Sequence, residues 1–79
     1  MERTDIIARL TPVAQTVFEK SDLVLTDELS SETLETWTSL SFMQLLSAIE
    51  QEFGFKFKMM ELLSIKSMGD IINTIASHC

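Results

Sequence analysis

The chain is poor in the residues that break helices and in those that build reactive sites. In 79 residues it has two glycines, one proline, one cysteine, one histidine and no tyrosine. With so few glycines there is no glycine-rich loop to cradle a phosphate or form an oxyanion hole, and no G-x-S-x-G elbow is present. The single cysteine, Cys79, is the last residue. Alone it closes no internal disulfide and builds no metal cluster, so it is expected as a frayed terminal thiol. The single histidine, His78, stands beside it, and is expected as a solvent-exposed tail residue rather than the base of a nucleophilic serine. Carboxylates are scattered without the paired spacing of acid/base catalysis. An enzyme is therefore not expected.

Long apolar runs are also missing. Nothing approaches the roughly 20 apolar residues that span a bilayer, and the polar start "MERTD" lacks the apolar segment of a signal peptide. No membrane span and a cytoplasmic location are expected. Basic residues are absent from one long stretch: residues 21–53 hold Asp22, Asp27, Glu28, Glu32, Glu35, Glu50 and Glu52 without a lysine or arginine. The ends, by contrast, are near neutral.

What is present suits one small helical domain covering residues 1–79. Hydrophobic residues make up 46% and charged residues 23%, a globular balance rather than a disordered one. A chain this short buries only about 60% of its unfolded surface, which argues against a deep substrate cleft. Its net charge of −6 repels phosphate backbones, so no nucleic acid is expected as a partner and basic protein surfaces are favoured.

Apolar residues recur at helical steps from Arg3 to Phe18, predicting a first helix with a kink or a Thr11-capped restart at Pro12. Residues 21–37 lose this period and gather Ser, Thr, Asp and Glu, reading as a long loop pinned by Leu23, Leu25, Leu29 and Leu34. A second helix follows to Phe53, with Phe42, Leu45, Leu46, Ile49 and Phe53 facing inward and Gly54 as its stop. "FKFK" (55–58) is expected as an extended connector, and "MMELLSI" as one short helical piece. The last helix opens with Ser67 and Asp70 in a capping-box-like start and buries Met68, Ile71, Ile72 and Ile75. Met43, Met59, Met60 and Met68 are read as adaptable packing that could admit an aliphatic guest between the helices.

The mouth of the second helix is the informative place. Thr38 is predicted as its N-cap, with Trp37 and Phe42 as a hydrophobic staple. Ser39 then becomes the first helical residue, its hydroxyl free of capping duty and facing solvent where the helix's positive end favours a phosphate. A wheel at about 100° per residue places Leu40 and Met43 on the outer side with Gln44, Ser47, Gln51 and the flanking Glu50. From the residues alone this could be a small docking site or ordinary solvated surface.

With "TSL" at 38–40, "LSFMQLLSAIEQEFGFKF" after it and "SIKSMGDIINTI" near the end, nearly the whole chain resembles the acyl carrier proteins. That resemblance implies an all-α fold, a small four-helix bundle of three longer helices and one short one with a long first loop. It further implies a carrier that bears 4′-phosphopantetheine on Ser39, flanked by Thr38 and Leu40, and holds acyl groups on the arm's thiol as thioesters. The implied partners are a phosphopantetheinyl transferase and ketosynthase, acyltransferase or ligase enzymes with basic docking surfaces in fatty acid, lipid or specialised-metabolite synthesis. A monomer is expected. The implied docking positions are Leu40, Met43, Gln44, Ser47 and Glu50. Two features depart from the family pattern: Thr38 replaces the motif aspartate, and Ser41, Gln44 and Gln51 stand where acids are frequent. An unmodified helical interaction module and a peptidyl carrier are the alternatives.

Overall fold

The apolar steps of the first segment resolve into one helix, α1 (Arg3–Val17), which runs through Pro12. The computed structural model describes every residue from Met1 to Cys79, with no strand. Pro12 has no N–H for the carbonyl four residues back, but Pro12 and Ala8 both lie on exposed positions, so the Ala8 carbonyl is not left buried without a partner. The predicted restart capped by Thr11 does not occur. The Thr11 hydroxyl instead donates to the Ile7 carbonyl at 2.6 Å, and Thr16 repeats the pattern on the Pro12 carbonyl at 3.0 Å. Three further helices follow: α2 (Ser39–Phe53), α3 (Met59–Ser64) and α4 (Met68–His78).

Ile6, Leu10 and Ala14 of α1 meet Leu45 and Ile49 of α2 and Met68, Ile71, Ile72 and Ile75 of α4 in one buried cluster. Of the predicted inward row of α2, Leu45, Leu46 and Ile49 are buried, while Phe42 and Phe53 are half-buried at its two ends. Gly54 ends α2 at φ 75°, its N–H donating to the Glu50 carbonyl at 2.9 Å. A residue with a Cβ would be strained in this left-handed conformation.

The long loop before α2 is fastened as the spaced leucines predict. Leu23, Leu25 and Leu34 are buried and Leu29 is half-buried. A second fastening comes from backbone: the Met68 and Gly69 N–H groups at the start of α4 donate to the Leu29 carbonyl at 2.7 Å and the Asp27 carbonyl at 3.1 Å. Two amides that α4 itself cannot satisfy therefore tie the loop to the bundle. A Cβ at residue 69 would lie 3.1 Å from the Asp27 carbonyl oxygen, so glycine permits this approach.

The acidity of residues 21–53 is partly neutralised across the fold. Asp27 pairs with Arg3, Glu52 with Arg9, Asp22 with Lys20 and Glu50 with Lys56. The acids left unpaired, Glu28, Glu32 and Glu35, all lie in the loop leading to α2. The anionic surface is thus narrower than the sequence suggests.

Helix α3 buries none of its residues and is held largely by polar contacts. Glu61 accepts from the Lys58 N–H at 2.8 Å and meets His78 Nε2 at 2.9 and 3.0 Å. These hydrogen bonds, that from Lys58 first and that from His78 second, hold the Glu61 carboxyl below its ordinary range. His78 is therefore no free tail residue. Its ring stacks on Phe55 at 4.4 Å, because α4 carries it back over the connector and α3. The methionine expectation is also corrected: Met68 is fully buried, whereas Met43, Met59 and Met60 are 62%, 72% and 81% exposed. Those three point away from the apolar cluster. The "FKFK" connector contains no helix or strand and its last residue, Lys58, is extended, while the Phe57 N–H donates to Glu50 Oε2 at 2.8 Å.

Candidate functional site

Three residues, Trp37, Thr38 and Ser41, set the geometry at the start of α2. Trp37 is buried and stacks between Phe18 and Phe42, with ring centroids 5.4 and 5.9 Å away. This is the predicted staple, and it fixes the direction in which the chain enters the helix. Thr38 is the N-cap, its Oγ1 accepting from the Ser41 N–H at 3.2 Å. Ser41 answers by accepting from the Thr38 N–H at 2.7 Å, and its hydroxyl donates to the Thr36 carbonyl at 2.6 Å.

Ser41 is the residue that sequence reasoning missed. It stands where the family pattern favours an acid, yet it is nearly buried, at 8% exposure, and closes a reciprocal capping box. The signal was the S/T-x-x spacing from Thr38, which is usually read for a Glu or Gln at its far end. A serine there is short enough to be enclosed, so it also pins the Thr36 carbonyl.

Between these two, Ser39 is the first residue of α2 and exposed. The cap is completed by Thr38 and Ser41, so the Ser39 hydroxyl takes no part in it. No acid lies in the first turn of α2, which leaves the positive end of its dipole uncompensated and able to stabilise an anion. A surface cleft of about 670 Å³ opens beside the hydroxyl, bounded by Ser30–Glu32, Trp37, Phe42, Ile65 and Lys66. A covalently attached phosphate therefore fits: the oxygen is free, the helix end is electropositive and there is room beside it.

The other sequence-derived positions divide. Leu40 and Met43 are 70% and 62% exposed, and Gln44 and Ser47 are exposed with them. Glu50 is not a free outward carboxylate. It is half-buried, with one oxygen accepting from Phe57 and the other near Lys56, because the connector folds back against the end of α2.

The sequence profile of the phosphopantetheine attachment site matches residues 4–75. The chain belongs to the phosphopantetheine-attachment family. Among solved structures it is similar to the holo acyl carrier protein from Geobacter metallireducens, with a TM-score of 0.84 and 34% identity over 90% of this chain and 82% of that one. None of the curated protein sequences matches. As a member of this family the chain is a carrier of the acyl-carrier fold and not an enzyme, and its prosthetic group is covalent phosphopantetheine. None of the carrier's helices is long and apolar enough to cross a membrane.

Proposed function

We propose that this protein is an acyl carrier whose 4′-phosphopantetheine is attached through Ser39 Oγ, and that it presents acyl thioesters to enzymes of fatty acid, lipid or specialised-metabolite synthesis in the cytoplasm. The observation that carries the reading is the division of labour among three adjacent hydroxyls. Thr38 and Ser41 are consumed by the capping box, which leaves Ser39 exposed at an electropositive helix end.

In the loading reaction the Ser39 oxygen forms a new bond to the phosphorus of coenzyme A's phosphopantetheine. The pyrophosphate bond to the 3′,5′-ADP leaving group breaks, and the hydroxyl proton passes to a base of the transferase. Once bound, the arm supplies a distal thiol that holds acyl groups as thioesters. Everything else falls to the chain's own residues. The capping box and the Trp37 staple hold Ser39 at a fixed place, and the dipole of α2 stabilises the phosphodiester.

Leu40, Met43, Gln44 and Ser47 form the exposed side of α2 next to the attachment point. With the unpaired acids Glu28, Glu32 and Glu35 in the preceding loop, they suit basic partner surfaces bearing an apolar pocket: the transferase first, then ketosynthases, acyltransferases or ligases. Glu50 contributes by positioning the connector.

The test is incubation with coenzyme A and a broad-specificity phosphopantetheinyl transferase, followed by intact mass. One phosphopantetheine is expected on the wild-type chain and none on Ser39→Ala. A wild-type chain that stays unmodified with several transferases would support a helical interaction module instead.

A further inference from the structure

Lys66 sits in the short link between α3 and α4, yet it lines the same cleft as Ser39. Its backbone is fixed, because the Lys66 N–H donates to Asp70 Oδ2 at 2.9 Å. Its ammonium is free: the ion pairs of the fold take up Arg3, Arg9, Lys20, Lys56 and His78, but not Lys66. The other charged group of the cleft is Glu32, across from it on the loop and likewise unpaired. One cation and one anion thus share a cleft walled by Trp37, Phe42 and Ile65, directly beside an exposed hydroxyl at a helix start.

We propose that Lys66 is the positioning residue for the prosthetic arm, pairing with the phosphodiester carried by Ser39 and directing the arm's first atoms into the cleft, while Glu32 opposes it. The inference rests on attachment at Ser39. A phosphodiester bears a single negative charge next to the α2 dipole, and Lys66 adds a point charge on the facing wall. Thr38 is neutral, so no carboxylate at the cap competes for that ammonium. Glu32 is the acid lining the cleft that does, while the Asp70 carboxylate is engaged by the Lys66 N–H, and the repulsion of the phosphate by Glu32 keeps the pairing modest and salt-sensitive.

The test compares the unfolding equilibrium constants of apo and holo forms of wild-type, Lys66→Ala, Lys66→Arg, Lys66→Glu and Glu32→Gln protein at low and high salt. Amide chemical-shift changes on modification are followed in parallel. At low salt, attaching the arm should favour the folded wild-type over folded Lys66→Ala by about two- to fivefold, the scale of an exposed ion pair. Lys66→Arg should retain the gain, Lys66→Glu reverse it and Glu32→Gln enlarge it, and all differences should fade at high salt. Amide shifts should move in residues 30–32 and 65–66 as well as in the first turn of α2. If all five proteins are modified but show the same holo-minus-apo change, or if shifts stay within the first turn of α2, Lys66 does not hold the phosphate. If wild-type protein accepts no arm, attachment at Ser39 fails and the role of Lys66 falls with it, a distinct result visible in the intact mass.

Discussion

At the scale of single residues, the site depends on which hydroxyl does which task. Ser41 is enclosed and makes hydrogen bonds at both ends of the cap. Ser41→Ala should therefore destabilise the protein by about 1–2 kcal/mol, the range for a lost cap residue plus an unsatisfied acceptor, measurable by urea denaturation of the apo form. Ser39→Ala, at an exposed position outside the cap, should leave stability within about 0.5 kcal/mol of wild-type. A similar loss at both positions would mean that Ser39 is part of the structural network. Thr38→Asp keeps a capping oxygen and adds a charge where the helix end favours one, so the apo protein should gain roughly 0.3–1 kcal/mol. Should the missing charge matter to the transferase, the same change should also speed modification. An unchanged rate would make Thr38 a neutral replacement.

At the scale of elements, α3 is the segment held least by burial and most by one carboxylate. The folded-state pKa of Glu61 is lowered, so its contribution is fully present above the ordinary carboxylate value and is lost as pH falls through the lower, folded value. The stability difference between wild-type and Glu61→Gln should accordingly begin to shrink as pH falls toward about 4.5 and keep shrinking on further acidification. A difference that grew instead would contradict the assigned pairing. The start of α4 supplies a second case. Gly69→Ala must push the Asp27 backbone away and should cost more than about 1 kcal/mol, above the small helix-propensity gain of alanine. The helices themselves were legible because α2 and α4 keep a clean apolar period, with capping residues at 38 and 67. The role of Asp70 was only half legible: its N–H meets Ser67 Oγ at 3.4 Å, but its carboxylate reaches the Lys66 N–H rather than that of Ser67. His78 and Glu61 are 17 residues apart, and no local pattern announces a contact that the return of α4 creates. The exposed Met59 and Met60 misled for a related reason: a six-residue helix gives too few positions for its apolar face to be told from its outer one.

At the scale of the whole molecule, the sequence charge map overstated a one-signed surface, because bases of α1 reach across to Asp27 and Glu52. Of the seven acids of residues 21–53, the three left free, Glu28, Glu32 and Glu35, lie before α2 on the path to Ser39. Association with a basic partner should therefore weaken as salt rises, with Glu28, Glu32 and Glu35 contributing more to that dependence than Asp27 or Glu52. Charge reversal at each position, followed by association rates across ionic strength, would separate the two groups. Long-range pairing is what made this distribution invisible in the sequence, where the seven acids look alike. The exposed hydroxyl of Ser39 at the start of α2 was legible from local rules, since the N-cap, the staple and the first helical residue lie within six consecutive positions, whereas its role as attachment point came from the family resemblance. The measurement that bears most directly on the account is fragmentation mass spectrometry of the chain after transfer from coenzyme A, locating the arm among Thr38, Ser39 and Ser41. The added mass should map to Ser39 alone, and its appearance on Thr38 or Ser41, or its absence from all three, would contradict the assignment.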